Sequence, residues 1–319
     1  MQALLAGSGE ELARNLLAMC CDEAQRDSVM AANGHVGLIW LLGAGPESKT
    51  TAYALKALLD LSMLDGSEPQ LIEAGVVAPT VALLRTVPRA DRRSLARAAL
   101  LVSNLTFTTA GVEAFQKAGA IVPLVSLLGA APAVADAAAG ALWNLSWDPE
   151  SKQKVNRAEI LEAGAVPPLV ALLHGETAYN AVCALWHLAN DAAGAAAIIS
   201  AGGIVPLVAL LHAASEETAV YAAAALDNMS ILDEQSRPAI LAALAARPPP
   251  PPHDDWPNLA ELLQYLRPTA TERLTAAEAG DDAAALQQAI DQAAAVRVAD
   301  AELQPARTKL AAGREAAEA

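Results

Sequence analysis

The chain has 319 residues, 54% of them hydrophobic but only 3% aromatic, and 36 acidic against 21 basic side chains give it a formal net charge of −15. Alanine and leucine must therefore carry the core. An acidic chain disfavours nucleic acid, because phosphate binding needs a basic stripe.

Length alone would allow two ordinary domains. Repeats in the sequence point elsewhere. Residues 1–33 read as an N-terminal cap or partial repeat, in which Leu16 to Asp22 aligns with Leu142 to Asp148 and Ala18 matches Asn144. Repeats then fill 34–247. Corner glycines fall at Gly34, Gly75, Gly119, Gly164 and Gly202, steps of 41, 44, 45 and 38 residues. Each is followed by a double leucine: Leu41-Leu42, Leu83-Leu84, Leu127-Leu128, Leu172-Leu173 and Leu210-Leu211. A third column, Asp60, Asn104, Asn144, His187 and Asn228, steps by 44, 40, 43 and 41. A degenerate sixth unit opens at Pro238 without its glycine.

Within one unit, glycine closes a short helix because it enters the left-handed region without a side-chain penalty. Pro79, Pro123, Pro168 and Pro206 then sit in the first turn of a second short helix, where a missing N–H is not needed. A polar loop leads to a third, longer helix, with Ala138, Ala141, Leu142 and Leu145 on one face at a period near 3.6. No run alternates as a strand would.

The pattern AG-[AGV]-[IV]-x-P-x-V-x-L-L followed by A-L-x-N-L-S resembles the armadillo repeat over residues 1 to about 247. The resemblance implies an all-α, right-handed α-α superhelix: a solenoid with one continuous core. It further implies that third helices line a concave groove, where the column Asp60, Asn104, Asn144, His187 and Asn228 grips the main chain of an extended peptide. Third helices about 10 Å apart match two to three residues of a chain rising about 3.3 Å each.

Pro248 to Pro252 expects a stiff polyproline II segment, and is a candidate docking site for a proline-rich-ligand domain. With Trp256 to Leu263 as a degenerate capping helix, it fills 248–268. Residues 269–319 read as an Ala/acidic-rich tail, helical or partly disordered. Its stripes are Leu286, Ile290, Ala293 and Ala294, then Leu303, Arg307 and Leu310, with a turn near Val296–Ala299.

No catalytic, cofactor or metal motif stands out: there is no P-loop, GxGxxG, HExxH or CxxC. His174 and His212 occupy equivalent places near helix C-termini, where they meet the helix dipole. Cys20, Cys21 and Cys183 offer neither a disulfide framework nor metal spacing, which favours the cytoplasm or nucleus. No 18-residue apolar run or signal peptide points to membrane insertion. The start Met1-Gln2 does not fit the N-terminal lipid anchor of one vacuole-surface branch of the family.

The expectation is a non-enzymatic scaffold for a protein or peptide partner, basic or neutral given the charge. Trp143 and Trp186, just before the column, and Trp147, one turn after it, are candidates to face a lysine or arginine, or to pack between repeats. The family's nuclear-import carriers hold tryptophan four residues before the asparagine. Here those positions are Leu100, Gly140, Cys183 and Ala224, which argues against that role. The substrate-recognition part of a ubiquitin ligase assembly is a further alternative, as is a cytoskeletal or ciliary scaffold.

Overall fold

The computed structural model describes residues 9–86, 91–147, 154–175, 178–247, 257–280 and 282–318. Among them every regular element is a helix. The fold is an all-α solenoid of stacked three-helix repeats, divided into two compact units, Met1–Leu172 and Leu173–Ala319.

The first unit holds α1 (Gly9–Cys20), α2 (Glu23–Ala31), α3 (Gly34–Leu41), α4 (Lys49–Leu61), α5 (Ser67–Glu73), α6 (Val77–Leu84), α7 (Arg92–Leu105), α8 (Thr109–Lys117), α9 (Ile121–Leu127), α10 (Pro132–Ser146), α11 (Lys154–Glu162) and α12 (Val166–Leu172). The third helix of each repeat packs on the third helix of the next, so that α1, α4, α7 and α10 form a row. Their core is small and aliphatic: Ala54, Leu55, Leu58 and Leu61 in α4, Ala98, Ala99, Leu101 and Leu105 in α7, and Ala138, Ala141, Leu142 and Leu145 in α10 are all fully buried.

The corners behave as the sequence expects at Gly75, Gly119, Gly164 and Gly202, whose φ values are 86°, 69°, 77° and 76°. The first corner differs. The left-handed residue there is Asn33, φ 57°, and Gly34 is already inside α3. Asparagine tolerates this conformation better than other non-glycine residues. Gly34 is small for another reason: a Cβ there would lie 2.7 Å from Val29 Cγ1. The loops into the third helices end in caps. Ser48 Oγ accepts from the Thr50 N–H at 3.2 Å, and Asp91 Oδ1 accepts from Arg93 and Ser94 at 2.8 and 3.0 Å.

The second unit holds α13 (Ala178–Leu188), α14 (Ala192–Ser200), α15 (Ile204–Leu210), α16 (Glu216–Leu232), α17 (Arg237–Ala245), α18 (Pro257–Ala279), α19 (Ala283–Ala295) and α20 (Asp300–Glu318). Here α13, α16 and α18 form the row. Helix α18 runs 23 residues, through Pro268, and so crosses the division expected at 268/269. Helices α19 and α20 pair through the turn at 296–299, where Arg297 has φ 58°. Leu286, Ile290, Ala293, Leu303 and Leu310 are buried as their stripes require; Ala289 and Ala306 join them, while Ala294 is exposed and Arg307 binds Asp300 at 2.9 Å. Pro248 to Pro252 and Trp256 lie outside the described residues. Among the described residues no single helix is long and apolar enough to cross a membrane.

Candidate functional site

The column residues sit on the third helices, and in each unit their amides reach back to the preceding member of the row. In the first unit Asn104 Nδ2 donates to Ser62 Oγ at 2.9 Å and contacts Met63 Sδ at 3.3 Å. Asn144 Nδ2 donates to the Ser103 carbonyl at 2.8 Å and to Ser103 Oγ at 3.2 Å. In the second unit Asn228 Nδ2 donates to Asn190 Oδ1 at 3.1 Å, and Asn190 Nδ2 caps the carbonyls of Trp186 and His187 at 3.3 Å. These bonds to the preceding repeat fix each amide plane. Among the described residues, no donor meets the Oδ1 of Asn104, Asn144 or Asn228.

Burial varies along the column. Asn104 and Asn228 are half-buried. Asn144 keeps only 7% of its surface, His187 4% and Asp60 9%. Helical geometry puts Asn144 about 110° from the centre of the buried arc, which would leave it open. The arc is wider than that estimate, because Gly140, Ala137 and Ala141 let α7 approach closely enough to cover it. Asp60 takes the Lys56 ammonium one turn earlier and the Cys21 thiol at 4.0 Å.

Trp143 and Trp186 are half-buried. Trp186 stacks on His187, with ring centroids 4.7 Å apart, and on Tyr221 of α16 at 5.0 Å. Tyr221 in turn meets Tyr179 edge-on at 5.8 Å. The indole is therefore an inter-helix wedge, with part of its surface left to solvent. Cys183, four residues before His187, is fully buried; burial pushes its thiol up to about 12, which makes it inert at neutral pH.

Of a second row, three residues beyond the column, sequence reasoning singled out only Trp147. Met63, Phe107, Trp147 and Ile231 are 67%, 66%, 49% and 44% exposed, and Asn190 holds the same place after His187. A constant offset of three was readable all along. It also missed the cations earlier on the same faces: Lys49 and Lys56 on α4, Arg93 and Arg97 on α7. Among the described residues no group of His, Cys, Asp and Glu could hold a metal ion.

The family model for the armadillo/beta-catenin-like repeat matches residues 191–231, which hold α14, α15 and most of α16. The solved structures it resembles share the fold over most of the chain. An engineered protein is 28% identical, with a TM-score of 0.61, over 70% of this chain and 90% of its own. A computationally designed armadillo repeat protein for modular peptide recognition is 27% identical, with a TM-score of 0.59, over 72% and 97%. The chain carries an armadillo repeat at 191–231 and has the fold of armadillo-repeat proteins. A further designed armadillo repeat protein, 24% identical with a TM-score of 0.58, covers 82% of it and 99% of its own length. No curated protein matches. The matched unit keeps corner, proline, double leucine and asparagine together, as do the units that open at Gly75 and Gly119.

Proposed function

We propose that this armadillo-repeat chain is a non-enzymatic scaffold that binds an extended segment of a partner protein along its rows of third helices. The observation that carries this is the fixed amide. Asn104, Asn144 and Asn228 each spend Nδ2 on the preceding repeat and keep Oδ1 as an acceptor. A peptide N–H is the donor an extended chain offers at regular intervals, and an amide already immobilised loses little entropy on accepting it. The designed armadillo protein made for modular peptide recognition supports the same reading.

The test is selection of 16-residue peptides from a random display library on the full-length chain, followed by affinity measurement on the triple variant Asn104→Ala, Asn144→Ala, Asn228→Ala. Each lost bond costs about 1 kcal/mol of stability, so the variant should remain helical. Selected peptides should lose at least tenfold in affinity on it. Equal affinity for the two proteins would place binding elsewhere.

A further inference from the structure

The net charge of −15 makes a basic ligand the natural expectation. The face that would meet the ligand in the first unit has the opposite sign. On α7, Arg93, Arg97, Leu100 and Asn104 lie within about 60° of one another at 100° per residue, and Phe107 follows just past the helix end. Arg93 is exposed, Arg97 and Asn104 are half-buried, and Leu100 is 40% and Phe107 66% exposed. On α4 the corresponding line is Lys49, Tyr53, Lys56 and Asp60, with Met63 just past the helix end. The two lines are in register: Arg97 Nη1 donates to the Ala52 carbonyl at 3.0 Å, while Asn104 reaches Ser62. Arg97 therefore sits level with the stretch between Lys49 and Lys56.

On α4 and α7 the cations precede the column residue, and an exposed apolar side chain follows the helix end: Met63 and Phe107, with Trp147 in the same place after α10, which carries no cation. The carboxylates on the same faces are few. Asp60 is bonded to Lys56, Glu11 stands on α1 beside Arg14, and Asp136 stands on α10. Across the α4 and α7 pair these four cations outnumber the acids beside them, which are Asp60, bonded to Lys56, and the α7 cap Asp91, which feels the Arg97 charge.

We propose that the first unit takes an extended segment of a partner protein that is acidic and apolar. Its carboxylates would meet Lys49, Lys56, Arg93 and Arg97, and its apolar side chains, about three residues apart, would seat on Met63, Phe107 and Trp147. The spacing follows from the row. Helices about 10 Å apart correspond to three residues of a chain rising about 3.1–3.3 Å each, so one ligand side chain in three meets an equivalent place on the next helix. Local charge decides the ligand because fields from the acidic remainder of the surface are screened beyond about 8–10 Å at physiological ionic strength. This inference rests on the peptide-binding reading above and adds the ligand's chemistry to it.

The probes are three fluorescein-labelled 18-residue peptides: six repeats of Glu-Asp-Leu, six of Lys-Arg-Leu, and a shuffled isomer of the first in which the leucines are consecutive. Binding to the full-length chain is followed by fluorescence anisotropy at 50 and 300 mM salt. The Glu-Asp-Leu peptide should bind at least tenfold more tightly than either other peptide and weaken with salt. Its affinity should fall at least tenfold on Lys49→Glu with Arg93→Glu, two exposed sites whose reversal leaves the fold intact. It should fall comparably on Met63→Ser with Phe107→Ser. If the Lys-Arg-Leu peptide binds better and depends on Asn104 and Asn144, the scaffold reading stands and the acidic preference is wrong. If no peptide binds, or if anionic vesicles of phosphatidylserine and phosphatidylcholine bind and the peptides do not compete, both readings fall.

Discussion

Asp227 sits beside the column residue Asn228 but points the other way. It is 5% exposed, and its Oδ1 has no hydrogen-bond partner among the described residues. Burial raises its carboxyl to about 6, and the nearby Glu261 of α18 adds to the rise. The folded state therefore prefers the protonated acid. With a folded pKa above the unfolded one, this group's contribution to stability is complete below about pH 4 and is lost as pH climbs through 6. The stake is about 2–3 kcal/mol at 1.36 kcal/mol per pK unit. Asp227→Asn should raise the melting temperature of the second unit by several degrees at pH 7.5 and leave it unchanged at pH 4. A gain of the same size at both pH values would show that charge is not the cause. Nothing in the sequence separates Asp227 from Asp60 or Asp191, since all three lie on or next to the column. Only the packing of α18 on α16 decides which one is buried without a partner.

Element by element, the short helices were legible because their boundaries are chemical. Glycine corners, prolines in the first turn and the Ser215 cap, which accepts from Thr218 at 3.3 Å, each leave a mark at a fixed place. What stayed hidden is how one helix meets the next. Gly194 lies inside the alanine-rich α14, where it reads only as a residue of low helix propensity. Its reason is the preceding third helix: a Cβ at 194 would fall 1.8 Å from the Leu188 carbonyl oxygen, and one at Gly111 would fall 1.7 Å from that of Leu105. Both glycines stand three residues after a cap, Asp191 and Thr108, at the joint between third and first helices. Helix propensity alone favours Gly194→Ala by about 1 kcal/mol. The collision should outweigh it and cost about 3 kcal/mol net, as overpacking against backbone does. Denaturant unfolding of Gly194→Ala beside Gly129→Ala, where a Cβ meets nothing within 4 Å, measures the difference. A neutral result at 194 would mean that the joint opens at no cost.

For the molecule as a whole, the repeat period specified the architecture, while summed quantities misled. Net charge is a sum over all 319 residues, but a ligand meets one face of a few helices, and on α4 and α7 that face is cationic. The first corner at Asn33 was likewise displaced by one residue, because a glycine at 34 imitated the pattern for a packing reason. Stability should be equally local, since each repeat touches only its neighbours. The end of the row makes this testable. Helix α19 packs on α17, α18 and α20 and buries Leu286, Ala289, Ile290 and Ala293, and burial of Leu286 and Ile290 is worth about 2 kcal/mol each. A chain ending at Gly280 loses that cover. Amide exchange in α17 and α18 should then rise at least tenfold, the effect should fade through α16, and α14 and α15 should exchange as before. Acceleration spread evenly from α13 to α18 would mean that the second unit opens as one cooperative block, and that α19 and α20 belong to its core rather than to its cap.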